Sequence, residues 1–204
     1  KETRDNSPKA NMRKAIRIFA KTPIALAAFF RSRKGKKILT PKKNLSFSEN
    51  FFYMCFGKVP KKEIVKAFDV SLILYAEHSF NVSTFTARTI TSSLSDIHSA
   101  ITGAIGSLKG PLHGGANEAV MHMMSKIKKP ENALKWINNA LDKKEVVMGF
   151  GHRVYKKGDS RVPTMEKYFK KVSKIKNDKK FHKIYEIVKK VMIERKDIHP
   201  NVDY

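Results

Sequence analysis

Helical spacing recurs in segment after segment of this chain, and period-two alternation is almost absent. That contrast limits the fold to helices packed on helices. The spacing predicts a helix over 9–30, carried by Ile16, Phe19, Ala20 and Leu26 and kinked or broken at Pro23. Residues 31–44 are basic and contain Gly35 and Pro41, so they read as loop. Ser46, followed by Glu49, offers a helix start, and Gly57 offers its end. Further helices are predicted over 61–81, 83–91, 95–108, 117–128, 131–142 (with Pro130 near its start), 162–172 and 181–195. The one strand-like piece is 145–148. The fold class is therefore all-α, with functional residues expected at helix ends and breaks.

With 204 residues and 41% hydrophobic content, the chain suffices for one large domain or two small ones. No apolar run approaches the roughly 18 residues of a membrane span. The short apolar run 23–30 lacks a small-residue cleavage site and does not read as a signal peptide. The first residue is lysine, as in a processed or excised piece. The single cysteine, Cys55, excludes an internal disulfide and fits a reducing compartment; within its aromatic run it is expected to be buried and inert. The net charge of +24 favours anionic partners, whether nucleic acid, a membrane surface or polyanionic metabolites. The excess is mostly lysine spread along the chain, the pattern of a solvated surface rather than of a nucleic-acid reader.

Two of the seven histidines are framed by glycines. His113 stands in Gly110-Pro111-Leu112-His113-Gly114-Gly115-Ala116-Asn117, and His152 ends Gly149-Phe150-Gly151-His152. Glycine permits positive φ and close approach of a ligand, and proline fixes the turn before His113. Both imidazoles are expected on rigid bends, facing outward. His78, in Glu77-His78-Ser79-Phe80-Asn81, sits at the end of an apolar helix beside a Ser/Thr cluster. His98, His122, His182 and His199 read as satisfied, packed imidazoles. The three singled-out histidines lie 35 and 39 positions apart, which is not zinc-ligand spacing, and metal is not expected. A fixed imidazole instead suits hydrogen-bond donation to a developing oxyanion.

No serine occupies a nucleophile elbow, and Cys55 has no neighbouring base. Gly149-Phe150-Gly151 lacks the third glycine of a dinucleotide fingerprint. Asp159-Ser160-Arg161 follows His152 closely, and Arg161 reads either as a bidentate carboxylate ligand or as half of a surface ion pair with Asp159. Asp203, near the end in His199-Pro200-Asn201-Val202-Asp203, would by itself read as a tail residue.

Together these motifs, in this order and at these spacings, resemble the citrate synthase family, including 2-methylcitrate synthases. The resemblance runs from about Lys14 to the end of the chain. It implies an α-helical homodimer that condenses acetyl-CoA or propionyl-CoA with oxaloacetate, an acyltransferase of the tricarboxylic acid or methylcitrate cycle. Such an enzyme would be cytoplasmic, or in the mitochondrial matrix if eukaryotic. His113 resembles the donor to the thioester oxygen, Asp203 the base that removes the α-proton, and His152 the histidine that polarises the oxaloacetate carbonyl. His78 and Arg161 resemble ligands of the substrate carboxylates. Val146, Val147, Gly149, Gly151, Lys156 and Asn201 resemble contacts to CoA, which is a substrate; no permanently bound cofactor is implied. Residues 1–113 would form part of a large helical domain, and 114–204 a smaller mobile one whose closure excludes water.

The chain departs from the family in two ways. Asp159-Ser160-Arg161 replaces the usual Asp-Pro-Arg, which loosens the loop but keeps the arginine. Family members are longer at both ends and carry further substrate-binding arginines beyond this point. The 204-residue span is therefore expected to turn over weakly by itself. The charge sustains a second reading, a catalytically inactive basic protein on the same scaffold that binds nucleic acid or another polyanion.

Overall fold

The computed structural model describes residues 5–204, and nine helices run through them. They are α1 Pro8–Ser32, α2 Phe47–Phe56, α3 Lys62–Tyr75, α4 Val82–Ser92, α5 Ile97–Leu108, α6 Ala116–Ile127, α7 Pro130–Asp142, α8 Val162–Lys176 and α9 Lys180–Lys196. The all-α expectation holds. Residues 145–148 form no strand, and a lone bridge joins Phe150 to Pro200.

Local chemistry explains most boundaries. Ser7 accepts from the Ala10 N–H, and Pro8 opens α1 where a missing N–H costs nothing. Of the kink or break expected at Pro23, the break does not occur: α1 continues through it to Ser32. Ser46 and Glu49 form a reciprocal capping box on α2, which Gly57 ends at φ 79°. The expected helix over 61–81 stops at Tyr75. Phe80 has positive φ, and the Asn81 side chain accepts from the Thr84 N–H, so Asn81 starts α4 instead of ending α3.

The chain divides into two compact units. The first comprises residues up to Ile73 together with Phe85–Ala104; the second comprises Leu74–Thr84 and Ile105–Tyr204. In the first, α1 and α2 pack around Ala27, Met54 and Cys55. Cys55 is buried, and burial pushes its thiol up, as expected of an inert cysteine. Ser48, fully buried, donates to the Asp69 carboxylate.

The second unit has the larger core. Ile127 of α6, Ile137 of α7 and Ile184 and Val188 of α9 are fully enclosed there. The lysine-rich helix α8 buries no residue completely and is tied to α9 by charge: Glu166 accepts from Lys189 of α9 at 2.8 Å, and from Lys170 of its own helix at 2.6 Å. No helix among the described residues is long and apolar enough to cross a membrane.

Candidate active site

His78, His113, His152, Arg161 and Asp203 all lie in the second unit. His113 sits in the tight turn before α6, closed by its N–H to the Gly110 carbonyl at 2.9 Å and by the Gly115 N–H to the same carbonyl at 3.1 Å. The glycines here serve close packing, not positive φ. A Cβ on Gly114 would come within 2.7 Å of the Leu108 carbonyl, and one on Gly115 within 2.7 Å of the Lys109 carbonyl. Gly149 and Gly151 do use positive φ, at 86° and 73°.

The run 149–151 is clamped to the end of the chain. The Gly151 N–H donates to the His199 carbonyl, and the Asn201 N–H to the Gly149 carbonyl, both at 2.9 Å. The Asn201 amide donates to the Gly151 carbonyl at 2.7 Å and accepts the Asp203 N–H at 3.0 Å. This side chain therefore brackets His152 and Asp203 into one place.

Backbone donors fix the state of two imidazoles. A backbone N–H can only donate, so the nitrogen that receives it carries a lone pair. His113 Nε2 receives the Ser83 N–H at 3.2 Å and lies 3.0 Å from Ser83 Oγ, which assigns the ring proton to Nδ1. His152 Nδ1 receives the N–H groups of Val154 at 3.0 Å and Tyr155 at 3.2 Å, which assigns its proton to Nε2. Burial lowers the pKa of both; His78 adds to this at His113, while Asp159 opposes it at His152. Each ring is thus a neutral donor with its second nitrogen anchored. His78 donates from Nδ1 to the Ser79 carbonyl at 2.8 Å. Its ring stands edge-on to His152 at 5.4 Å, and Tyr155 packs on His152 at 4.6 Å.

Arg161 forms the expected ion pair with Asp159, but the pair is buried, not superficial. Arg161 Nε donates to Oδ1 at 2.9 Å and Nη2 to Oδ2 at 2.7 Å, with the carboxylate fully covered. The same carboxylate accepts the Val202 N–H at 3.0 Å. Burial alone would raise the Asp159 pKa, but these donors hold it below the ordinary carboxylate range. The Arg161 guanidinium lies over the Tyr155 ring at 5.3 Å, and Nη1 takes no part in the Asp159 pair.

Asp203 is held by its neighbours on both sides, and its Oδ1 accepts from the Tyr75 hydroxyl at 2.9 Å. Burial raises its pKa, and the Tyr75 donor and Arg161 oppose that rise. His113, His152 and Arg161 all lie within its electrostatic reach. Sequence reasoning missed Tyr75, Ser83 and the bond from the Val202 N–H to Asp159, because each joins partners distant along the chain.

Of the residues expected at CoA, Val146 and Lys156 are exposed, and Gly149 and Gly151 shape the loop. Val147 turns its side chain into the core, so it offers a ligand only backbone. Three of the four remaining histidines correct the packed expectation: His98, His122 and His199 are exposed and sit beside Asp96, Glu118 and Asp197. Among the described residues, no group of three or more His, Cys, Asp or Glu side chains is arranged to hold a metal ion.

A family model described as the citrate synthase C-terminal domain matches residues 1–204. A 2-methylcitrate synthase of Mycobacterium tuberculosis is 50% identical over 195 residues, covering 96% of this chain and 50% of the relative. 2-Methylcitrate synthase 2 of Corynebacterium glutamicum is 55% identical over 192 residues, covering 92% of this chain and 50% of the relative. The solved citrate synthase of Thermotoga maritima superposes with a TM-score of 0.81 at 38% identity, over 97% of this chain and 55% of that one. The citrate synthase of Thermoplasma acidophilum, solved as a ternary complex with carboxymethyl coenzyme A and oxaloacetate, gives 0.81 at 37% identity, over 91% of this chain and 50% of that one. The chain spans about half the length of the curated relatives it matches. On its sequence, its fold and its motifs alike, the chain belongs to the citrate synthase family.

Proposed function

We propose that this chain carries the reacting centre of a citrate synthase-type condensation, joining acetyl-CoA or propionyl-CoA to oxaloacetate to give citrate or 2-methylcitrate and CoA. One observation carries the reading: two neutral imidazoles, each with one nitrogen anchored by backbone N–H and the other left to donate, share a unit with a half-buried carboxylate whose pKa is raised.

Each group has a step suited to its state. Asp203 takes a proton from the α-carbon of the acyl thioester, and His113 Nδ1–H donates to the thioester oxygen as the enol forms. A donor of this kind is worth about 3–4 kcal/mol. The enol carbon attacks the ketone carbon of oxaloacetate, whose oxygen accepts from His152 Nε2–H. Hydrolysis of the resulting thioester by water releases CoA. His78 and Arg161 hold the oxaloacetate carboxylates; the Asp159 pair fixes the Arg161 fork and leaves Nη1 for the substrate. Backbone of the 146–151 loop, with Lys156 and Asn201, lies along the CoA, with the Asn201 side chain acting chiefly as a brace. Acyl-CoA is a substrate, and no resident cofactor enters the scheme. Homodimer assembly and a reducing, cytoplasmic setting accompany this reading.

The test is CoA thiol release by the full-length protein with oxaloacetate and each acyl-CoA, with the product identified by mass. Citrate or 2-methylcitrate is expected. No CoA release with either thioester would favour the inactive basic scaffold instead.

A further inference from the structure

Among the described residues, the Tyr75 hydroxyl is the one side-chain donor to the Asp203 carboxylate, and the scheme above leaves it without a role. We propose that Tyr75 is a positioning residue for the base, resting on the reading of Asp203 as proton acceptor: its hydroxyl holds Oδ1 and thereby presents Oδ2 to the α-carbon. Tyr75 is the last residue of α3, so the end of a helix sets its ring. Its hydroxyl is 2.9 Å from Asp203 Oδ1 and 3.2 Å from the Val202 carbonyl, spanning the base and the peptide before it. Two other bonds fix the backbone there, from Val202 N–H to Asp159 and from Asp203 N–H to Asn201. Neither touches the Asp203 carboxylate, which without Tyr75 would be free to turn about its own side-chain bonds.

The groups that act on Asp203 come from several elements. Arg161, Asp159 and His152 belong to the segment between α7 and α8, His113 to the turn before α6, and Tyr75 to α3. Of these, Tyr75 is the one whose hydroxyl can be removed with no change in net charge. Burial and the Asp203 charge keep its phenol protonated, so it remains a donor throughout the working range. Its hydrogen bond also tempers the basicity that burial gives Asp203.

The experiment compares kcat and kcat/KM against pH for full-length wild type, Tyr75→Phe and Asp203→Asn, by thiol release. Tyr75→Phe keeps the ring and loses the donor. It is expected to lower kcat about tenfold, to leave the acyl-CoA KM within about twofold, and to move the acid limb of kcat/KM up by about half to one pH unit. 3-Fluorotyrosine at position 75 has nearly the same shape and is a stronger donor, so it is expected to move that limb down. An unmoved limb in both variants, with wild-type kcat in Tyr75→Phe and Asp203→Asn inactive, would overturn the role of Tyr75 and leave the base in place. Activity retained in Asp203→Asn would overturn both.

Discussion

On the proposed reading Asp203 takes a proton from carbon, a task that asks for a carboxylate both basic and held still; burial raises its pKa, and the Tyr75 hydroxyl holds its Oδ1. Its folded pKa is raised by burial, so it is protonated and idle at acid pH and becomes competent as pH rises through that raised value. The kcat/KM profile is expected to show an acid limb above the ordinary carboxylate range, read from initial rates between about pH 4 and 9. His113 and His152 have lowered pKa values, so both stay neutral donors over the plateau. His152→Ala is expected to lower kcat by about 10²–10³, the loss of one oxyanion donor, without unfolding the chain as judged by circular dichroism. These two histidines stood out in the sequence because glycines frame them; the backbone N–H groups that each ring accepts, from Ser83 and from Val154 and Tyr155, did not. Tyr75 was not legible, since its partner lies 128 positions away and a tyrosine ending an apolar helix looks like core.

Among the elements, the turn before α6 and the α8–α9 pair show what holds the site. The sequence suggested that Gly114 and Gly115 give conformational freedom, yet neither has positive φ, and a Cβ on either would lie 2.7 Å from a neighbouring carbonyl oxygen. Gly115→Ala must push backbone, not a flexible side chain. It is expected to destabilise the protein by about 1–3 kcal/mol in urea melts and to lower kcat by displacing His113. Helix existence was legible from spacing nearly everywhere. Boundaries failed where side chains, not periodicity, decide: Asn81 chose to cap α4, and that choice moved His78 from a helix into a loop.

Glu166 links α8 to α9. Burial would raise its pKa, but donors from Lys170 and Lys189 outweigh that and bring it down to about 2. Its contribution is full above the ordinary 4.5 and is lost as pH falls toward about 2. Glu166→Gln is therefore expected to cost about 1–2 kcal/mol at pH 7 and progressively less in acid, checked by chemical denaturation at several pH values.

For the whole molecule, on the proposed function, the net charge of +24 over these 204 residues would attract two anionic substrates. Screening should weaken that attraction, so kcat/KM is expected to fall with added salt while kcat changes little. The matched relatives are about twice as long as this chain, and residues 1–204 alone are expected to turn over far more slowly than the full-length protein. The family was legible because five short motifs kept their order and spacing. The way they converge was not, because it depends on pairings such as Gly151 with His199 and Val202 with Asp159 that no local pattern announces. The most direct measurement is CoA release by the full-length protein carrying Asp203→Asn, beside wild type and the surface variant His98→Ala. The account predicts a loss of about 10³ or more for Asp203→Asn and wild-type rates for His98→Ala; near-normal turnover by Asp203→Asn would contradict it.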